Sequence, residues 1–175
     1  TGVIGPEELS VVARSWRWRR LLYVGHVRPG APGQPGNTAL VLSDGVEPEL
    51  LRAYDWLARP ERWPVPTRVA LIGCASGDAR TVEDVGLPLA ALRAGAELVT
   101  ATRWNLPADR TEDERSLTEL VRAVHAAHRT EDPVGYLQAW QITELHRWRV
   151  SGLAAHAPLT WAAVTTTAIP RQAAA

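Results

Sequence analysis

The chain has no lysine, no phenylalanine and no methionine, and its only cysteine is Cys74. A lone cysteine excludes an internal disulfide and agrees with a reducing compartment. All 19 basic residues are arginine, and 19 acids balance them to a formal charge of zero. No bulk attraction to nucleic acid or to an anionic membrane follows from such a balance. No apolar stretch approaches the roughly 18 residues that span a bilayer, and the charged-then-apolar pattern of a signal peptide is missing. Together these absences read as a soluble, cytoplasmic protein with no membrane partner and no direct nucleic-acid partner. The missing methionine reads as a piece of a longer polypeptide, with 171–175 as a tail.

What is there suits one globular domain over residues 1–175: 46% of the residues are hydrophobic and 22% charged, ordinary values for a packed core. Leu21-Leu22-Tyr23-Val24-Gly25-His26 and Arg68-Val69-Ala70-Leu71-Ile72-Gly73-Cys74 are apolar, β-rich runs, each ending at a small turn. Both read as buried strands. Glu83 to Ala94 reads as a helix stopped by Gly95, and Glu97 to Thr102 as the next strand, which makes a right-handed βαβ unit with parallel strands. In such sheets functional groups collect at the carboxyl ends of the strands. His26 and Cys74, 48 positions apart (74 − 26), would then share one rim.

The remaining chain reads as connections and further elements. Pro6 and two acids open a helix that runs to about Ser15. The Pro/Gly-rich stretch after His26 reads as an irregular loop, 38–42 as a short strand, 48–58 as a helix, and 59–67 as a surface linker. Thr111 and Glu114 form a capping-box pattern for a helix to about His128. Asp132-Pro133 starts another to about Trp148, and Trp161 to Thr167 is the last expected strand.

A thiolate attacks carbonyls, and a neighbouring imidazole can take or hold its proton. The stretch of alternating Trp and Arg from 16 to 20 interleaves aromatics and cations as a nucleic-acid patch does, but on the neutral net charge it reads rather as arginines solvating the approach to a strand while one Trp packs inward. His125 and His128, at i, i+3, lack a completing set of ligands at a recognisable spacing, so neither metal nor cofactor is expected. Ser76 lies outside any Gly-x-Ser-x-Gly elbow. Glu83 and Asp84 suit either a basic substrate side chain or the dipole of the helix they begin. Taken alone, Cys74 also fits a buried, inert core thiol.

The run from Leu21 through His26, then Val69 through Gly77, Glu83 through Trp104, and Pro158 through Ala163 resembles the CHAT domain, a branch of the caspase-like cysteine peptidases related to separase. The interval of 48 also agrees with the roughly 50 residues between His and Cys in caspases. The resemblance implies a caspase-like α/β three-layer sandwich whose mostly parallel sheet is flanked by helices. It implies His26 as general base and Cys74 as nucleophile, with the amides of Val27 and Cys74 forming the oxyanion hole. Ser76, Asp84, Trp104 and Asn105 are its substrate-binding candidates.

The implied function is a cysteine endopeptidase acting on a protein substrate, within a larger, regulated defence or signalling protein that has regulatory domains or partner proteins. Two departures stand out: Val27 replaces the family's glycine after the histidine, and Cys74-Ala75-Ser76-Gly77 replaces Cys-Glu-Thr-Gly. They leave a second reading, a caspase-like scaffold that binds protein partners without catalysis. The family's first strands have no counterpart before Leu21, which leaves that strand as an expected sheet edge.

Overall fold

The computed structural model describes residues 6–15, 18–31, 34, 36–43, 47–74, 86–109 and 115–169. Ser76, Asp84, Gly77, the 16–17 part of the Trp/Arg stretch, the 111–114 capping box and the 171–175 tail lie outside them.

The chain is α/β, with a central sheet of β1 (Arg20–Val24), β5 (Arg68–Ile72), β6 (Leu98–Thr102) and β7 (Val164–Ala168), in the order β1-β5-β6-β7. The first three strands run parallel and β7 runs antiparallel to β6. Strand β1 is an edge of this sheet among the described residues, as expected. Three layers follow from the alternation of side chains along β5. Val69 and Leu71 face a core of Leu87, Ala90 and Ala91 from α3 (Leu87–Arg93) and Trp56 from α2 (Ala53–Ala58). Ala70 and Ile72 face Leu120, Val124 and Ala127 from α4 (Ser116–Ala127), and Leu137 from α5 (Pro133–Ser151). A strand buried on both faces must be apolar at every position, hence the unbroken Val-Ala-Leu-Ile run.

Helix α3 begins at Leu87, with 81–85 outside the described residues, and ends as the sequence predicts. Gly95 has φ +115°, its N–H reaches the Leu92 carbonyl at 3.1 Å, and the Ala96 N–H reaches the Ala91 carbonyl at 3.0 Å. These two bonds form a Schellman close, which favours glycine at that position. Helix α1 (Pro6–Ser15) also agrees with its start signal.

Five expectations need correction. The helix expected over 48–58 is a strand, β4 (Leu50–Arg52), running into the shorter α2. The irregular loop after His26 contains β2 (Val27–Arg28), which pairs antiparallel with β3 (Ala39–Val41), and β3 pairs with β4. Ladder bonds to β3 thus satisfy backbone that the Pro/Gly content alone would leave to water. The 59–67 linker is anchored by Trp63, which is buried in the core. Helix α5 continues past Trp148 to Ser151 and stops at Gly152, whose φ is +64°. Trp161 ends a short helix, α6 (Pro158–Trp161), so β7 starts three residues later than expected; Pro158 favours the first turn of a helix.

Candidate active site

The β1–β5 register ends at the pair Val24–Ile72, and the Gly25 N–H continues it with a 3.1 Å bond to the Ile72 carbonyl. His26 and Cys74 each lie two residues beyond that last pair, at the carboxyl rim of neighbouring parallel strands. The His26 side of the rim is exposed, and Cys74 is a partly exposed free thiol.

Gly73, immediately before Cys74, is buried and permits this approach. A Cβ there would lie 2.5 Å from the Gly25 carbonyl oxygen and 2.9 Å from Val27 Cγ2, so the two strand ends touch where glycine alone fits. Thr102, fully buried at the end of β6, donates its hydroxyl to the Gly73 carbonyl. The Gly73 N–H approaches the same hydroxyl at 3.4 Å.

On the histidine side, the Tyr23 hydroxyl lies 2.6 Å from the His26 carbonyl and 2.8 Å from the Val41 carbonyl. It also accepts the Val41 N–H at 3.1 Å. A Cβ on Gly25 would come within 2.7 Å of that hydroxyl. The Val41 N–H donates to the His26 carbonyl at 3.0 Å. That bond flanks the Val27–Leu40 pair, making it a non-hydrogen-bonded pair whose Val27 N–H points away from β3. The Val27 side chain packs against the core, so its β-branch fills the space beside Gly73.

The loop after β6 places Trp104 and Asn105 at the same rim, both exposed. The Trp104 indole N–H donates to the Leu159 carbonyl of α6 at 2.7 Å, and the Arg103 N–H donates to the Ala163 carbonyl at 2.9 Å. The loop is held at its far end by Asp109, whose carboxylate accepts the N–H groups of Leu117 and Thr118, both at 2.9 Å, and the Thr118 hydroxyl at 2.7 Å. Partial burial alone would raise the Asp109 pKa. The Thr118 and backbone bonds outweigh it, with a contribution from the Arg115 charge, and hold the carboxyl below its ordinary value. Asp109→Ala is expected to cost about 1 kcal/mol, as loss of a helix cap does, and to loosen the Trp104–Asn105 loop. Urea unfolding measures the first effect and the Trp104 emission the second.

The residues that sequence reading missed are Gly73 as a contact point, Tyr23 and Thr102. Each acts through a neighbour distant in the chain, and no local pattern signals it. His125 and His128 diverge: His125 is exposed, whereas His128 is buried with its Nε2 2.9 Å from the Thr100 hydroxyl. Among the described residues no group of three His, Cys, Asp or Glu side chains is arranged to hold a metal ion, and no helix is long and apolar enough to cross a membrane.

Cavities lie elsewhere among the described residues. An apolar one of about 160 Å³ sits among Leu9, Trp18, Trp56 and Trp63, towards the opposite end of the sheet. A larger one of about 670 Å³ adjoins α6; Glu144, in its wall, is buried between Arg147 at 2.7 Å and His156 at 2.9 Å. No protein-family model matches this chain, and the search of curated proteins returned no match.

Proposed function

We propose that this domain is a CHAT-type cysteine endopeptidase in which His26 is the general base and Cys74 the nucleophile. The observation that carries the reading is the parallel β1–β5 register, with the two residues the same distance beyond its last pair. In this chemistry the imidazole takes the thiol proton and sulfur adds to the scissile carbonyl carbon. The amides of Val27 and Cys74 donate to the oxygen that gains charge. The tetrahedral adduct collapses with loss of the amine, which receives the proton from His26. Water then releases the acyl group from sulfur, by the same base and donors. The exposed, anchored Trp104 and the neighbouring Asn105 are in the right loop to meet the residue before the cut, and Ser76 and Asp84 remain substrate-binding candidates. The substrate is a protein, and regulatory domains or partner proteins control access to it.

A peptide bearing an acyloxymethyl ketone tests the assignment. The expected result is one covalent adduct on Cys74, formed far more slowly in His26→Ala and absent in Cys74→Ala. Labelling that ignores both substitutions overturns the reading.

The second reading, a caspase-like scaffold that binds protein partners without catalysis, is supported by the β1 edge, which has no strand beyond it among the described residues. Leu22 and Val24 stand there 37% and 50% exposed, and an unpaired edge is a template for another strand. A domain that binds partners while Cys74 resists every such electrophile would establish it.

A further inference from the structure

We propose that Tyr23 and Thr102 are positioning residues for the two backbone donors of the oxyanion site, each by holding the carbonyl of the donor's own peptide unit. The inference rests on the cysteine peptidase reading above. The Gly73 carbonyl and the Cys74 N–H belong to one planar peptide, and so do the His26 carbonyl and the Val27 N–H. In each unit the two groups point in opposite directions, so fixing the carbonyl fixes the aim of the N–H.

Thr102 donates to the first carbonyl from the neighbouring strand β6, where it is fully buried. The second carbonyl meets the Tyr23 hydroxyl at 2.6 Å and the Val41 N–H at 3.0 Å. A hydrogen bond accepted by a carbonyl also polarises its amide and strengthens the N–H at the other end as a donor. Two hydroxyls on different strands thus act on the two donors in the same way. The contact of Gly73 with the Gly25 carbonyl, which leaves no space for a Cβ, keeps the two peptide units side by side.

The test separates steps that form an oxyanion from steps that do not. A peptide aldehyde adds to Cys74 as a tetrahedral adduct whose oxygen needs both donors. Iodoacetamide alkylates the same sulfur by displacing iodide and forms no oxyanion. Tyr23→Phe keeps the ring beside Gly25 and removes only the hydroxyl; Thr102→Val is nearly isosteric, and Thr102→Ser restores a hydroxyl.

The expected result is that the aldehyde binds about tenfold more weakly to Tyr23→Phe and to Thr102→Val, less than the loss when a donor is removed outright. Iodoacetamide rates stay at the wild-type level and Thr102→Ser recovers aldehyde affinity. Equal aldehyde affinity in wild type and both variants, or an equal fall with both probes, overturns the inference and leaves the peptidase assignment standing. A wild-type domain whose Cys74 takes up no aldehyde overturns both.

Discussion

Gly73→Ala is expected to destabilise the domain by about 3 kcal/mol, the upper part of the range for overpacking, and to lower its melting temperature by roughly 10 °C. The added methyl would stand 2.5 Å from the Gly25 carbonyl oxygen and 2.9 Å from Val27 Cγ2. The first of these is backbone, held by the Gly25 N–H bond to the Ile72 carbonyl, and cannot turn aside as a side chain can. Relief requires the β1 end to move away from β5, which stretches that bond and parts His26 from Cys74. Thermal unfolding followed by circular dichroism measures the stability, and the rate of acyloxymethyl ketone labelling measures the parting. Gly25→Ala gives the contrast, since its new methyl meets the Tyr23 hydroxyl at 2.7 Å. The ring can swing away at the cost of the His26 carbonyl bond, so stability should fall less. A Gly73→Ala protein as stable as wild type and labelled as fast would show that the two strand ends do not touch there.

The second large effect is a loss of stability in mild acid centred on His128. The residue is 4% exposed, and its Nδ1 is buried without a hydrogen-bond partner among the described residues. Burial first, then the charges of Arg68 and Arg20 and the nearby His125, lower its pKa from 6.5 to about 4. Those two arginines cannot withdraw freely. The Arg68 guanidinium donates to the carbonyls of His128 at 2.8 Å and Thr130 at 2.6 Å, and that of Arg20 donates to the His128 carbonyl at 3.3 Å.

The folded state therefore binds the proton more weakly than the unfolded chain does. Above pH 6.5 neither state is protonated and nothing is lost. As pH falls from 6.5 the unfolded chain gains the proton first, and stability declines until the folded ring is protonated too, near pH 4. The whole difference corresponds to about 3 kcal/mol. Urea midpoints between pH 7 and pH 4 measure it, and His128→Gln, which keeps a group able to reach Thr100, should remove that part of the slope. An identical slope in the two proteins would refute the assignment to His128.

The parts legible in the sequence were those whose signal is local. β5 is buried on both faces, so its apolar run could hardly be anything but a central strand. Gly95 marked the end of α3 because a Schellman close needs a residue that tolerates positive φ. Their order, strand then helix then strand, gave the parallel β5–β6 pairing, and a parallel β1 beside β5 puts the positions of His26 and Cys74 at one rim. What was not legible depends on partners distant in the chain. Leu50, Leu51, Tyr54 and Leu57 fit a helical stripe, yet Leu50 and Leu51 are held in β4 by β3, and three residues are too few to show a period of two. Val27 and Arg28 form a strand only because Ala39 and Leu40 lie opposite. Trp63 looks like part of a proline-rich surface segment until the core closes over it. Tyr23 is one more aromatic in a strand and Thr102 one more β-branched residue, and only the folded sheet puts their hydroxyls on the carbonyls beside the site.

The position of β1 also governs how the native state opens. A strand that has one neighbour among the described residues, as β1 has, can detach without unfolding the rest, and such partial openings cost less free energy than global unfolding. The β5–β6 pair, closed over 30 residues (98 − 68) and covered on both faces, would survive that event. The amides of β1 should therefore exchange with solvent well before those of β6. Each time β1 lifts away, the chain end carrying His26 would part from the one carrying Cys74 while the core stays folded, so under the proposed dyad a partner that clamped or peeled this one strand would set the fraction of time the pair exists.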